Sequence, residues 1–95
     1  MSIGSAQFHP SVIEDQIYEI LDSDPKYIVS SKEYTQEAIE EVINFMGELY
    51  GDTGMQYSII DDLHPDMEGG SVSVCWIENT FLHHIVLSYR FQWGV

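Results

Sequence analysis

The chain has 95 residues, 44% of them hydrophobic, and sets 16 Asp and Glu against three Lys and Arg for a formal net charge of -13. That length carries one domain with a modest core, and three cations cannot neutralise a run of phosphates, which excludes direct binding to nucleic acid or an anionic membrane. A single cysteine excludes an intrachain disulfide and a cysteine metal cluster.

No apolar run approaches the ~18 residues of a membrane span, and the N-terminus lacks a basic region followed by an apolar one. The expectation is a soluble protein of a reducing cytoplasm, encoded by a cell or by something that infects one. The composition is otherwise that of a globular domain, so acidity alone does not signal disorder. A surplus of this size repels itself and costs stability, which points to a use outside folding.

Residues 1–9 show no period, although Phe8 is able to pack back on a core. Residues 10–24, PSVIEDQIYEILDSD, read as the first helix. Pro10 and Ser11 suit its start, and Ser11 with Glu14 has capping-box spacing. Val12, Ile13, Ile17, Ile20 and Leu21 gather on one side, with Asp15, Glu19 and Asp22 roughly opposite. Pro25 ends the helix. Residues 26–29 are too short to classify, as a linker or a brief strand.

A second helix is expected from Ser30 or Ser31, where Ser30 and Glu33 repeat the capping-box spacing, to a stop at Gly51. Its apolar face is Ala38, Ile39, Val42, Phe45, Met46 and Leu49. Gly47 inside it is unfavourable by about 1 kcal/mol against Ala, marking either close packing or tolerance.

After Gly54 the period changes to two. Residues 55–60 alternate over Met55, Tyr57 and Ile59. Residues 61–70 read as a polar turn region punctuated by Pro65, Gly69 and Gly70. Residues 71–77 form a second strand with Val72, Val74 and Trp76 on one face, and Glu78–Thr80 suits a hairpin connection. Residues 81–93 form the third strand. Ile85, Leu87, Tyr89, Phe91 and Trp93 share one face, and His84, Val86, Ser88, Arg90 and Gln92 the other. The expected fold is α+β: two N-terminal helices packed on a three-stranded antiparallel β-meander, one domain over residues 1–95.

The acids carry the functional reading. Glu33, Glu37, Glu40 and Glu48 lie in a narrow sector opposite Val42, flanked by Glu41. Like charges four residues apart cost a few tenths of a kcal/mol per pair, and no lysine interleaves to relieve them. Duplex DNA carries one charge per ~1.7 Å of axis, so carboxylates on a rigid element can occupy a basic DNA-binding cleft, steered there by the field that attracts DNA. Asp15, Glu19 and Asp22 make a second patch, and Asp61, Asp62, Asp66 and Glu68 a third. A halophilic or generally acidic protein carries the same excess as a solvated face.

Other chemistry is weakly signalled. Asp61, Asp62, His64 and Asp66 place three carboxylates and an imidazole close in sequence, without the calcium-loop pattern or its closing glutamate. His83 and His84 are adjacent on a strand, point to opposite faces and do not chelate together. Cys75 reads as a small buried thiol, and a nucleophilic pairing with His83 or His84 across a hairpin is the weaker alternative. There is no serine elbow, phosphate loop, zinc motif or dinucleotide fingerprint. No enzyme, cofactor or resident metal is expected. Arg90 is expected to pair with an acid across strands. The outward strand face around Val86, His84 and Ser88 is a candidate homodimer contact, since a two-fold axis doubles a charge track.

In size, acidity and helix-plus-sheet layout the chain resembles phage-encoded acidic DNA-mimic proteins. It is nearest in character to the anti-restriction endonuclease inhibitors of T-even phages. The resemblance implies a dimeric inhibitor that presents Glu33, Glu37, Glu40, Glu41 and Glu48, with the other acids named above, to a basic DNA-binding partner such as a host restriction endonuclease. CRISPR effectors, DNA glycosylases and nucleoid proteins fit as targets on the same grounds. Two alternatives stand beside it: an adaptor or regulatory protein docking through its sheet, and a small metal-dependent enzyme using Asp61, Asp62, His64 and Asp66.

Overall fold

A computed structural model of the chain describes residues 10–51, 56–63 and 69–91, with the Leu63 side chain outside that description. In chain order the elements are α1 (Val12–Leu21), a 3₁₀ turn (Pro25–Tyr27), β1 (Ile28–Ser30), β2 (Glu33–Thr35), α2 (Gln36–Tyr50), β3 (Tyr57–Leu63), β4 (Gly69–Glu78) and β5 (Phe81–Arg90). The strands form one sheet in the order β1-β2-β5-β4-β3.

This corrects the three-stranded antiparallel meander. The sheet has five strands and is mixed, because β2 runs parallel to β5 through Glu33–Ser88, Tyr34–Tyr89 and Thr35–Arg90. The β3–β4–β5 part is antiparallel throughout, as expected. The two added strands come from the stretch assigned to the start of the second helix. Residues 28–35 instead make a hairpin, closed over Ser31 and Lys32, with Lys32 in the left-handed region at φ 66°. The Ser30 hydroxyl donates to the Glu33 carboxylate across that hairpin rather than capping a helix.

The second helix therefore starts at Gln36. Thr35 is its N-cap, and its side-chain oxygen accepts from the Ala38 amide at 3.1 Å. Gly51 ends it, at the stop expected there, with a positive φ of 75° that suits glycine. In α1 the expected cap holds: Ser11 Oγ accepts from the Glu14 amide at 2.9 Å. Pro25 ends the helical register by opening the 3₁₀ turn, with Asp24 as its cap. The β4–β5 connection is the two residues Asn79 and Thr80, both at positive φ, 54° and 70°, the form that matches strand twist in a tight hairpin.

The two helices pack on one face of the sheet. The core joins Ile17 and Leu21 of α1, Ala38, Ile39, Val42 and Met46 of α2, and Val72, Val74, Trp76, Ile85, Leu87 and Tyr89 of the sheet. Two helix positions depart from the expected apolar faces. Val12 and Leu49, each in a terminal turn of its helix, are 64% and 47% exposed. Phe91 packs on the core, whereas Phe8, Met55, Gln92 and Trp93 lie outside the described residues. Gly47 has room: an added Cβ meets only the Tyr57 hydroxyl, at 3.8 Å, so close packing is not its reason.

Strand alternation leaves the other sheet face uncovered among the described residues. Its rows run across β3, β4 and β5 as Ser58–Cys75–His84 and Ile60–Ser73–Val86, with Ile77–Leu82 toward the hairpin end. Ile60, Ile77, Leu82 and Val86 are all exposed there. Cys75 belongs to this face and is half-buried rather than a core thiol, because its neighbours Val74 and Trp76 take the inward positions.

Candidate functional site

The helical period places Asp15 and Glu19 on the outer side of α1, with Asp22 at its C-cap, and Glu37, Glu40, Glu41 and Glu48 on the outer side of α2; all seven are exposed. The helices pack side by side, so the two rows share one surface. A groove of about 430 Å³ opens between them, lined by Gln16, Glu19 and Ile20 of α1, Glu41 and Phe45 of α2, and Ser23 and Tyr27 of the connection. It brings Glu19 and Glu41, 22 positions apart in sequence, to the rims of one apolar floor.

Tyr27 reports the local field. Burial raises the pKa of its hydroxyl, and the carboxylates of Glu41 and Glu37 raise it further against the opposing pull of Lys26. Among the described residues Lys26 pairs with this surface: its Nζ lies 3.9 Å from Asp24 Oδ2 and 3.9 Å from Glu37 Oε2. All three side chains are well exposed, so each pair is worth at most ~1 kcal/mol and leaves most of the charge uncompensated.

Glu33 does not join the helical row. It sits on β2, where Arg90 Nε donates to Glu33 Oε2 at 3.2 Å. Hydrogen bonds from Ser30 and then Arg90 hold its carboxyl below the usual range. The expected cross-strand partner of Arg90 is thus an acid assigned to the partner-binding track, and Glu33 closes the β2–β5 edge instead.

The third acidic patch divides. Asp61 and Asp62 are consecutive on β3 and fall on opposite sheet faces. Asp61 accepts a hydrogen bond from the Tyr89 hydroxyl at 2.7 Å. Gly70 makes room for that reach, since a Cβ there would lie 3.2 Å from the Tyr89 oxygen and 2.5 Å from the Asp62 carbonyl oxygen. Burial raises the Tyr89 pKa, and the Asp61 bond with the charges of Asp61 and Asp62 carries it to about 12. His64, Asp66 and Glu68 lie outside the described residues. Among the described residues no three His, Cys, Asp or Glu side chains gather to hold a metal ion. His83, half-buried, stacks on Trp76 with ring centroids 5.5 Å apart, while His84 faces outward in register with Cys75.

Two residues were not singled out from the sequence. Tyr27 sits in a stretch with no readable period. Glu78 reads as loop, yet its carboxylate accepts from the Ser11 hydroxyl at 2.6 Å, the Val12 amide at 3.0 Å and Trp76 Nε1 at 3.1 Å. An acid at a strand end anchors the start of α1, a signal visible only once β4 is placed beneath that helix.

Comparison of the chain with protein-family models, with curated proteins and with solved structures finds no match. Among the described residues no helix is long and apolar enough to cross a membrane.

Proposed function

We propose that the protein inhibits a DNA-binding protein, such as a restriction endonuclease or another host defence nuclease, by presenting the carboxylates of its two helices in place of phosphates. The observation that supports this reading is the shared helical surface, on which Asp15, Glu19, Asp22, Glu37, Glu40, Glu41 and Glu48 are exposed, with Lys26 paired to Glu37 among the described residues. At a rise of 1.5 Å per residue, Glu37 to Glu48 spans ~16 Å and carries four of these charges, about one per 4 Å, with the three of α1 beside them. Duplex DNA carries one per ~1.7 Å, so the density is of the same order. Glu33 and Asp61 are left out of the track because each is engaged within the fold.

The test is capture of partners from a host extract, followed by displacement with duplex DNA over a salt series. The reading expects nucleic-acid-binding proteins that DNA displaces, with affinity falling steeply as salt rises. Reversing charge at Glu37, Glu40 and Glu41 together is expected to weaken capture at least ~10-fold at physiological salt. Partners that bind no nucleic acid, or that DNA fails to displace, would sink it.

A further inference from the structure

We infer that the groove between α1 and α2 binds a linear aliphatic diamine or polyamine, with its methylene stem on the apolar floor and its ammonium groups at Glu19 and Glu41. This goes beyond the inhibitor reading and does not rest on it, although Glu19 and Glu41 serve in both.

The helices build a site with two kinds of lining. Ile20 comes from α1, Phe45 from α2 and Tyr27 from the connection, all half-buried, and they make the floor. Glu19 and Glu41 stand exposed at the rims, one on each helix. Glu41 and Phe45 are one turn apart on α2, so a rim charge and a floor ring lie side by side. A volume of about 430 Å³ is in the range of a small-molecule site.

Polarity decides the class of ligand. The two carboxylates accept hydrogen bonds and donate none. The Ser23 hydroxyl donates to the Ile20 carbonyl at 2.7 Å, which leaves its oxygen as an acceptor. Among the described residues no cation lines the groove, since Lys26 lies between Asp24 and Glu37 instead. The raised pKa of Tyr27, from burial first and then from Glu41 and Glu37, marks the same negative field. An anion is repelled here. An ammonium group, with three donors and no acceptor, is the complement of this lining.

Layout decides the shape of the ligand. A divalent metal ion needs oxygens that converge on one point, and among the described residues no three His, Cys, Asp or Glu side chains do so. Glu19 and Glu41 sit on separate helices with apolar side chains between them, and packed helix axes lie roughly 8–10 Å apart. A lysine or arginine side chain of a protein brings one charge to two rims. A diamine brings a charge to each rim and covers the floor with the methylenes between. Exposed ion pairs are weak, so the Kd for a diamine is on the order of 1 mM at low salt, and about 10-fold lower for a triamine.

Titration of the full chain with putrescine, a diamine with a four-carbon stem, tests this by NMR in ~20 mM NaCl. Saturable shifts are expected at the Ile20 methyls and the Tyr27 and Phe45 rings. The monoamine n-butylamine, with the same stem and one charge, is expected to bind at least ~5-fold more weakly. Mg²⁺, with two charges and no stem, is expected to leave those signals in place. Glu41→Gln should weaken putrescine binding at least ~5-fold, while Glu14→Gln, which removes one charge from α1 outside the groove, stays within ~2-fold of wild type. Shifts that fail to saturate overturn the inference. So do equal affinities for putrescine and n-butylamine, the same shifts with Mg²⁺, or equal losses in the two variants. The wild-type comparison of the three probes stands even if a variant fails to fold. The titration contains no partner and no DNA, so its failure leaves DNA displacement by the helical acids untouched, and failure of that displacement leaves the titration untouched.

Discussion

Glu78→Ala should be among the most damaging single substitutions on the outside of this protein. The carboxylate ends a relay in which the Glu14 amide donates to Ser11 Oγ, the Ser11 hydroxyl donates to Glu78 Oε1, and Trp76 Nε1 donates to the same oxygen. The other oxygen accepts from the Val12 amide. Truncation leaves the indole N–H of Trp76, a residue 1% exposed, without its acceptor. It also removes a negative charge from the positive end of α1. Hydrogen bonds to charged groups contribute ~1.5–3 kcal/mol each, and Val12 and Ser11 recover part of theirs from water. The net cost is about 2–4 kcal/mol, a fall in Tm of roughly 10–20 °C for a domain of this size. Glu78→Gln keeps the shape and one acceptor, and is expected to cost about half as much.

Urea denaturation followed by far-UV circular dichroism measures both variants, and a cycle with Ser11→Ala isolates the Ser11–Glu78 coupling. The pH dependence has a fixed sign. Burial alone would raise the Glu78 pKa, but the hydrogen bonds from Ser11, Trp76 and the α1 backbone outweigh it and hold the group below the ordinary carboxylate value. Its contribution is therefore fully present above the unfolded-state pKa and is lost as pH falls through the lower folded value. A Glu78→Ala protein within ~0.5 kcal/mol of wild type at neutral pH would show that the relay is surface decoration.

Gly47→Ala is expected to stabilise by ~0.5–1 kcal/mol in the same titration, because the added methyl meets nothing closer than the Tyr57 hydroxyl at 3.8 Å. Gly69→Ala should have the opposite outcome: a Cβ would sit 1.9 Å from the Tyr89 carbonyl oxygen, so β4 must shift off β5 at a cost of more than ~2 kcal/mol. Ultraviolet titration should show one tyrosine, Tyr89, resisting ionisation to about 12, and Asp61→Asn should bring it down. The sign is that of a raised pKa: the stabilisation holds below the unfolded tyrosine value near 10 and is lost as pH climbs through about 12.

Much of this was legible wherever a period ran long enough to read. The 3.6-residue pattern identified Ile17, Leu21, Val42 and Met46 as core, and alternation did the same for Val74, Trp76, Ile85 and Leu87. The helical acids follow from the same period, because a row opposite a buried face is an exposed row. The hairpin of β1 and β2 was not legible, since strands of three residues show no period. Ser30 and Glu33 are also ambiguous: three-residue spacing suits a capping box and equally suits two residues facing each other across a tight hairpin. The parallel pairing of β2 with β5 joins Glu33 to residues some 55 positions away, and nothing local announces it. That error carried into the site. Placing Glu33 on the helix counted as free a carboxylate that Arg90 and Ser30 occupy.

The positions of the three cations show how the charge is divided. Arg90 is engaged with Glu33 at the β2–β5 edge, Lys26 lies between Asp24 and Glu37, and Lys32 stands in the β1–β2 turn. None is on α1 or α2, the elements that carry the densest exposed acids. One side of the molecule is thus strongly negative and the opposite sheet face has a neutral, apolar centre. Screening by salt therefore weakens the binding of any partner held by the helical carboxylates, because it removes the attraction that holds it. A captured partner whose affinity stayed flat across a salt series would be held by apolar contact instead, and the assignment of the partner-binding role to the helical acids would fail.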